Sequence, residues 1–109
     1  GENFFDWVLL GVGTDGHTAS LFPMHETSIS SKNICEEVRH PQTEQKRITL
    51  TPFALRQSTR ITYHVIGEEK SPIVAQLLES GMSTSNYPVI QIPGEWYLDQ
   101  YAASKLNLF

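Results

Sequence analysis

One cysteine in 109 residues, Cys35, leaves no partner for an intrachain disulfide and no thiolate set for a structural zinc site. A lone thiol fits a reducing compartment, and the expected location is cytoplasmic. No apolar stretch approaches the roughly 20 residues that span a bilayer, so no membrane association is expected. The opening Gly1-Glu2-Asn3-Phe4-Phe5 has no basic stretch ahead of an apolar one and does not read as a signal peptide. Positive charge is scarce as well. Eight Lys and Arg against twelve Asp and Glu give a formal net charge of -4. Such a chain has no general attraction for nucleic acid or for an acidic membrane. An anionic small molecule must then be held by a local group of cations. Metal ligands are thinly spread: His17 and His25 lie eight apart with Pro23 between them, poor spacing for a metal site. No internal repeat or low-complexity tract occurs, and only four residues precede the first apolar run.

That run, Phe5 to Leu10, is nearly all apolar and predicts a strand buried on both faces. Residues 18 to 22 predict a helix of one or two turns closed by Pro23, and Met24 to Asn33 a polar loop. A brief strand is expected over Ile34 to Arg39 and an extended connection over His40 to Gln45. Arg47 to Thr51 alternates with period two, and Pro52 after a Thr51 cap predicts a helix start. Arg60 to Ile66, rich in Thr, Ile, Tyr and Val, predicts a strand ended by Gly67. Ile73, Val74, Leu77 and Leu78 make one apolar face of a helix over Glu68 to Glu79. Gly81 to Tyr87 reads as loop, Val89 to Ile92 and Trp96 to Leu98 as short strands, and Asp99 as the cap of a helix through Leu106. Strands alternating with helices fit an α/β, doubly wound, mostly parallel sheet.

The chemistry concentrates where the first strand ends. Gly11-Val12-Gly13-Thr14-Asp15-Gly16 matches the dinucleotide pattern G-x-G-x-x-G, with Glu36 or Glu37 about 20 residues on. Yet Asp15 would place a carboxylate against a pyrophosphate, and Pro23 cuts the crossover helix short. No nucleotide cofactor is expected. A second reading takes the glycines as a tight turn with Asp15 as a turn residue. A third takes Asp15 and His17 together: histidine can accept a proton near neutrality, and a carboxylate can hold its ring in one tautomer. The turn N–H groups are then candidates to stabilise negative charge on a carbonyl oxygen.

Residues 6 to 23, Asp-Trp-Val-Leu-Leu-Gly-Val-Gly-Thr-Asp-Gly-His-Thr-Ala-Ser-Leu-Phe-Pro, closely resemble the signature of the glucosamine-6-phosphate isomerase/6-phosphogluconolactonase family. Three further segments follow in the family's order: Lys46-Arg47-Ile48-Thr49-Leu50-Thr51, Val65-Ile66-Gly67-Glu68-Glu69-Lys70 and Gly94-Glu95-Trp96-Tyr97-Leu98-Asp99. The wider family keeps Asp-Gly-His, whereas Thr-Ala-Ser-Leu-Phe-Pro is similar to its lactonase branch. The resemblance implies a Rossmann-like fold of which residues 1–109 are the C-terminal portion of a single domain. The missing N-terminal half is then the first partner.

The resemblance also implies an activity, hydrolysis of 6-phospho-D-glucono-1,5-lactone without cofactor or metal. His17 matches the catalytic histidine and Asp15 its paired acid. Arg47, Lys70, Lys46, Gly13 and Gly16 match the segments that hold the sugar phosphate. Arginine's planar fork suits a phosphate, and a lysine in the first turn of a helix is disfavoured unless an anion lies nearby. A fused or associated glucose-6-phosphate dehydrogenase is a further partner the resemblance allows. The alternatives are an aldose–ketose isomerase/deaminase acting on glucosamine 6-phosphate, or an inert packing or regulatory domain. His40 and His64 are expected to be ordinary polar residues, and Cys35 a small apolar filler.

Overall fold

A computed structural model describes residues 3–23, 30–79 and 87–107. Five strands occur among them: β1 (Phe5–Leu10), β2 (Cys35–Arg39), β3 (Lys46–Leu50), β4 (Ser58–Val65) and β5 (Glu95–Leu98). Two α-helices join them, α1 (Pro52–Leu55) and α2 (Ser71–Glu79), with 3-10 turns at Glu68–Lys70 and Pro88–Gln91. β1, β4 and β5 form a parallel sheet in the order β1-β4-β5, while β2 and β3 make a separate antiparallel hairpin. Parallel neighbours require crossovers. The hairpin and α1 lie within the first connection, and α2 within the second.

β4 is the central strand because its Thr, Ile, Tyr and Val suit a pleated, buried surface. Tyr63, fully buried, stacks on Trp96 of β5 at 4.5 Å between ring centroids. Its hydroxyl donates to the Ile92 carbonyl at 2.7 Å. Burial holds this phenol well above its ordinary pKa, so it stays neutral. Ile73, Val74 and Leu77 of α2 pack with Leu10, Val65, Leu55 and Ile92 on the same side of the sheet. Thr51 caps α1 as expected, its Oγ1 accepting from the Ala54 N–H at 3.2 Å ahead of Pro52.

Several elements depart from the sequence reading. β1 is covered on one face only: Trp7 and Leu9 are exposed while Leu10 on the opposite face is buried. Residues 18–22 form a tight turn instead of a helix. Thr18 and Leu21 pair with each other, and Ala19 takes the left-handed conformation at φ 52°. Pro88 presets a 3-10 turn where a strand over Val89–Ile92 was expected. Asp99 does cap, its Oδ1 accepting from Ala102 N–H at 2.8 Å, but residues 100–105 make successive turns and no helix. The helix expected from Glu68 begins as a 3-10 turn and becomes α-helical at Ser71. The loop readings over 24–29 and 81–86 lie outside the described residues. Among the described residues no helix is long and apolar enough to cross a membrane.

Candidate active site

Because β1 and β4 run parallel and in register from Phe5↔Ser58 to Leu10↔Tyr63, their C-terminal ends lie side by side. The glycine turn after Leu10 and the Gly67 turn after β4 therefore meet at one edge of the sheet, where open α/β folds bind ligands. Lys70 seals that meeting, its Nζ donating to the Val12 carbonyl at 2.6 Å.

Backbone hydrogen bonds close the turn on itself. Gly16 N–H donates to the Gly13 carbonyl and Gly13 N–H to the His17 carbonyl, each at 2.9 Å. Thr18 Oγ1 donates to the Gly11 carbonyl at 2.7 Å. Both glycine N–H groups are thus engaged within the turn, and the two glycines contribute space. A Cβ on Gly13 would lie 2.2 Å from the His17 ring. One on Gly16, at φ +90°, would lie 2.3 Å from the Tyr87 ring.

The same Oδ1 of Asp15 accepts from the His17 backbone N–H at 3.1 Å and meets the His17 ring Nδ1 at 2.6 Å. An ionised carboxylate only accepts, so Nδ1 carries the proton and Nε2 keeps its lone pair. Partial burial pushes the Asp15 carboxyl upward, but the bonds from the His17 ring and backbone outweigh it, helped by the positive charge the ring carries whenever it is protonated. The net result lies below the ordinary value of 3.8. Phe22, buried, lies against this assembly with its ring 5.1 Å from that of His17.

His17 and Lys70 line one open cleft of about 340 Å³ with Gly11, Val12, Gly13 and Ala19. Arg47 and Lys46 line a different hollow, of about 300 Å³, with Glu37 and Ile48. Register puts Arg47 opposite Val38, on the packed face of the hairpin that also presents buried Thr49. Thr49 Oγ1 accepts from the Ser20 N–H at 3.1 Å and so ties β3 to the turn that follows His17. The Arg47 guanidinium is held by Gln45 Oε1, through Nε at 3.1 Å and Nη2 at 3.0 Å. Lys46 stands 4.0 Å from Glu37 at the exposed surface. Lys70 thus lines the His17 cleft, while the Arg47 guanidinium is turned to Gln45.

Sequence reasoning passed over Phe22, Tyr87 and Thr49, which shape the turn from outside it. Phe22 was legible as part of Ser-Leu-Phe-Pro. Tyr87 had no signal, because its contact with Gly16 depends on how the chain returns after α2.

Comparisons with known proteins bear on the family and the fold. Residues 1–98 match the family model described as glucosamine-6-phosphate isomerases/6-phosphogluconolactonase. A 6-phosphogluconolactonase of Aggregatibacter actinomycetemcomitans is 40% identical over 110 residues, covering 96% of this chain and 47% of that protein. A crystal structure of a devB protein superposes with a TM-score of 0.85 at 42% identity, covering 93% of this chain and 44% of that one. A monomeric glucosamine-6-phosphate deaminase is less similar, with a TM-score of 0.69 and 26% identity over 91% of this chain and 47% of that one. A rabbit protein named GDH/6PGL endoplasmic bifunctional protein is 32% identical over 90% of this chain but only 13% of its own length. The chain spans about half the length of the first curated relatives it matches. By family model, identity and fold alike, it belongs to the glucosamine-6-phosphate isomerase/6-phosphogluconolactonase family.

Proposed function

We propose that this chain is the C-terminal portion of a single-domain enzyme that hydrolyses 6-phospho-D-glucono-1,5-lactone, with His17 as general base. One observation supports this most directly. The His17 ring is held on Asp15 through Nδ1, which leaves Nε2 as a proton acceptor in a cleft that also holds a cation, Lys70.

In this mechanism a water oxygen bonds to C1 of the lactone as Nε2 takes one of its protons. The carbonyl electron pair moves onto the oxygen of a tetrahedral intermediate. When that pair returns, the bond from C1 to the ring oxygen breaks, and the imidazolium gives its proton to the departing oxygen. Asp15 supports the positive ring in between, as an orienting carboxylate does in other histidine bases.

Lys70 can exchange the Val12 carbonyl for an anionic oxygen, a stronger, charge-assisted bond. Arg47 can do the same by leaving Gln45 for the phosphate, with Lys46 adding positive potential at the rim. Gly13 and Gly16 serve by leaving room for the His17 ring and for Tyr87. Higher identity to a lactonase than to the deaminase favours the lactone over an amino-sugar phosphate. We place the reaction in the cytoplasm, in keeping with the lone cysteine. The bifunctional relative makes fusion to a dehydrogenase an arrangement to look for in the longer protein.

Steady-state kinetics on the full-length protein tests the assignment, with spontaneous opening of the lactone measured in parallel. His17→Ala should lower kcat roughly 10²–10⁴-fold and leave KM nearly unchanged. Arg47→Ala should act mainly on KM, because phosphate binding is largely uniform between ground and transition states. Near-full turnover by His17→Ala would reject the mechanism, and turnover of glucosamine 6-phosphate in place of the lactone would reject the substrate.

A further inference from the structure

His40 closes the turn between β2 and β3, and two sets of contacts meet on its ring. Its Nδ1 accepts from the backbone N–H groups of Gln42 at 3.1 Å and Thr43 at 3.2 Å. Accepting there requires a lone pair on Nδ1, so the neutral ring carries its proton on Nε2. The hydrogen bonds fix the ring against its own turn. That fixed ring and Phe22 make a T-shaped pair, at 5.1 Å between centroids and 70° between planes. Phe22 in turn lies 5.1 Å from the His17 ring at 36°. Three rings thus run from the hairpin, through a fully buried phenylalanine, to the imidazole that Asp15 holds through Nδ1.

We infer that His40 is a positioning residue, which sets the plane of the His17 imidazole through Phe22. The inference rests on the reading of His17 as the base. The physical argument is one of restraint. Asp15 fixes His17 at a single nitrogen, and one hydrogen bond leaves the ring free to swing about the line of that bond. A flat neighbour removes the swing, provided that the neighbour cannot itself slide. Edge-to-face packing of His40 supplies that stop, and its two backbone bonds make the stop rigid. Because His40 belongs to the hairpin that bears Arg47, the same contact keeps the hairpin's anion-binding residue at a constant distance from the base. The Ser20–Thr49 hydrogen bond is a second tie between these two elements, so the hairpin stays docked when the ring contact alone is lost.

Two substitutions separate the two roles of this ring. Asparagine at 40 puts Oδ1 where Nδ1 stands and keeps an acceptor for the turn, but removes the ring. Phenylalanine keeps a ring against Phe22 and removes the acceptor. The full-length protein is labelled uniformly with ¹⁵N and ¹³C, so that the ring signals of His17 and the amides of Gln42 and Thr43 are read together. In His40→Asn the ring signals of His17 should move, the Gln42 and Thr43 amides should keep their exchange rates, and kcat should fall about 10-fold or more, toward the 10²-fold cost of misplacing a reacting group. In His40→Phe the His17 signals should move less than in His40→Asn, while exchange at Gln42 and Thr43 rises at least about 10-fold. Unmoved His17 signals in His40→Asn would overturn the proposal, and so would equal displacement in both variants. If the wild-type protein fails to turn over the lactone, the functional reading is lost, yet the two spectra still decide whether His40 orients His17.

Discussion

Asp15 is a small residue with two acceptor duties on one oxygen, and its protonation undoes both. Its carboxyl sits below its ordinary value in the folded protein. A group depressed in this way contributes stability that is fully present above its unfolded pKa, near 4, and disappears as the pH falls through the lower folded value. The stability gap between wild type and Asp15→Asn should therefore be constant at neutral pH and close below about pH 4. Urea midpoints measured from pH 7 to pH 2 check this, and a gap that widens in acid would contradict it. Gly16 makes a second residue-scale prediction. At φ +90° any side chain is strained, at about 1–3 kcal/mol, and the Tyr87 ring occupies the space a Cβ needs. Gly16→Ala should lower the thermal midpoint, while Gly11→Ala, with nothing near its Cβ, should cost much less.

At the scale of elements, the sequence was most legible where a local rule and the tertiary packing agreed. Thr51 followed by Pro52 announced a helix start, and Thr51 Oγ1 also donates to the Asn33 carbonyl at 2.5 Å, joining α1 to the segment before β2. Loss of that hydroxyl in Thr51→Ala should destabilise the protein by about 1–2 kcal/mol, the upper range for a cap, because the residue is wholly buried. Thr51→Ser should recover most of it. Chemical denaturation of the three proteins makes the comparison. The apolar spacing of Ile73, Val74 and Leu77 likewise gave α2 and its inward face. Legibility failed where apolar residues were few and a backbone peculiarity decided the outcome. Val89-Ile90 has the composition of a strand, but Pro88 fixes a turn ahead of it. Thr18 to Leu21 has the length of a helical turn, but the left-handed Ala19 reverses the chain. In the site, His17, Asp15 and Lys70 could be named from spacing and resemblance. The grip of Gln45 on Arg47 and the ring contact of His40 could not, because both depend on side-chain directions across a hairpin.

For the molecule as a whole, the bare side of the sheet has the largest consequence. Trp7 and Leu9 of β1, Ile66 after β4 and Tyr97 of β5 are all exposed, with Leu9 at 59% and Ile66 at 72%. Polar links lace the same side together. Trp7 Nε1 donates to Thr62 Oγ1 at 2.9 Å, Arg60 lies 4.6 Å over the Trp7 ring, and Arg60 Nη2 donates to the Tyr97 hydroxyl at 2.9 Å. An apolar patch rimmed in this way marks a surface that another segment covers. The 109-residue chain expressed alone should consequently bind a hydrophobic dye, and its tryptophan emission should be redder than in the full-length protein. A sharp unfolding transition of ordinary stability, with a monomeric hydrodynamic radius and no dye binding, would reject that expectation.

The bond from Lys70 to Val12 joins residues 58 positions apart, and the strand pairing beneath it starts at Phe5 and Ser58. Nothing local holds these two turns together. During folding, the cleft cannot exist until a long stretch of chain has returned to lie beside β1, a step that closure entropy makes slow. The hairpin β2–β3, closed by residues that are near neighbours, has no such delay. A newly made chain is therefore expected to pass through a stage in which the hairpin is formed and the cleft is not. Catalytic competence would then appear with the long-range pairing of β1 and β4, later than the hairpin.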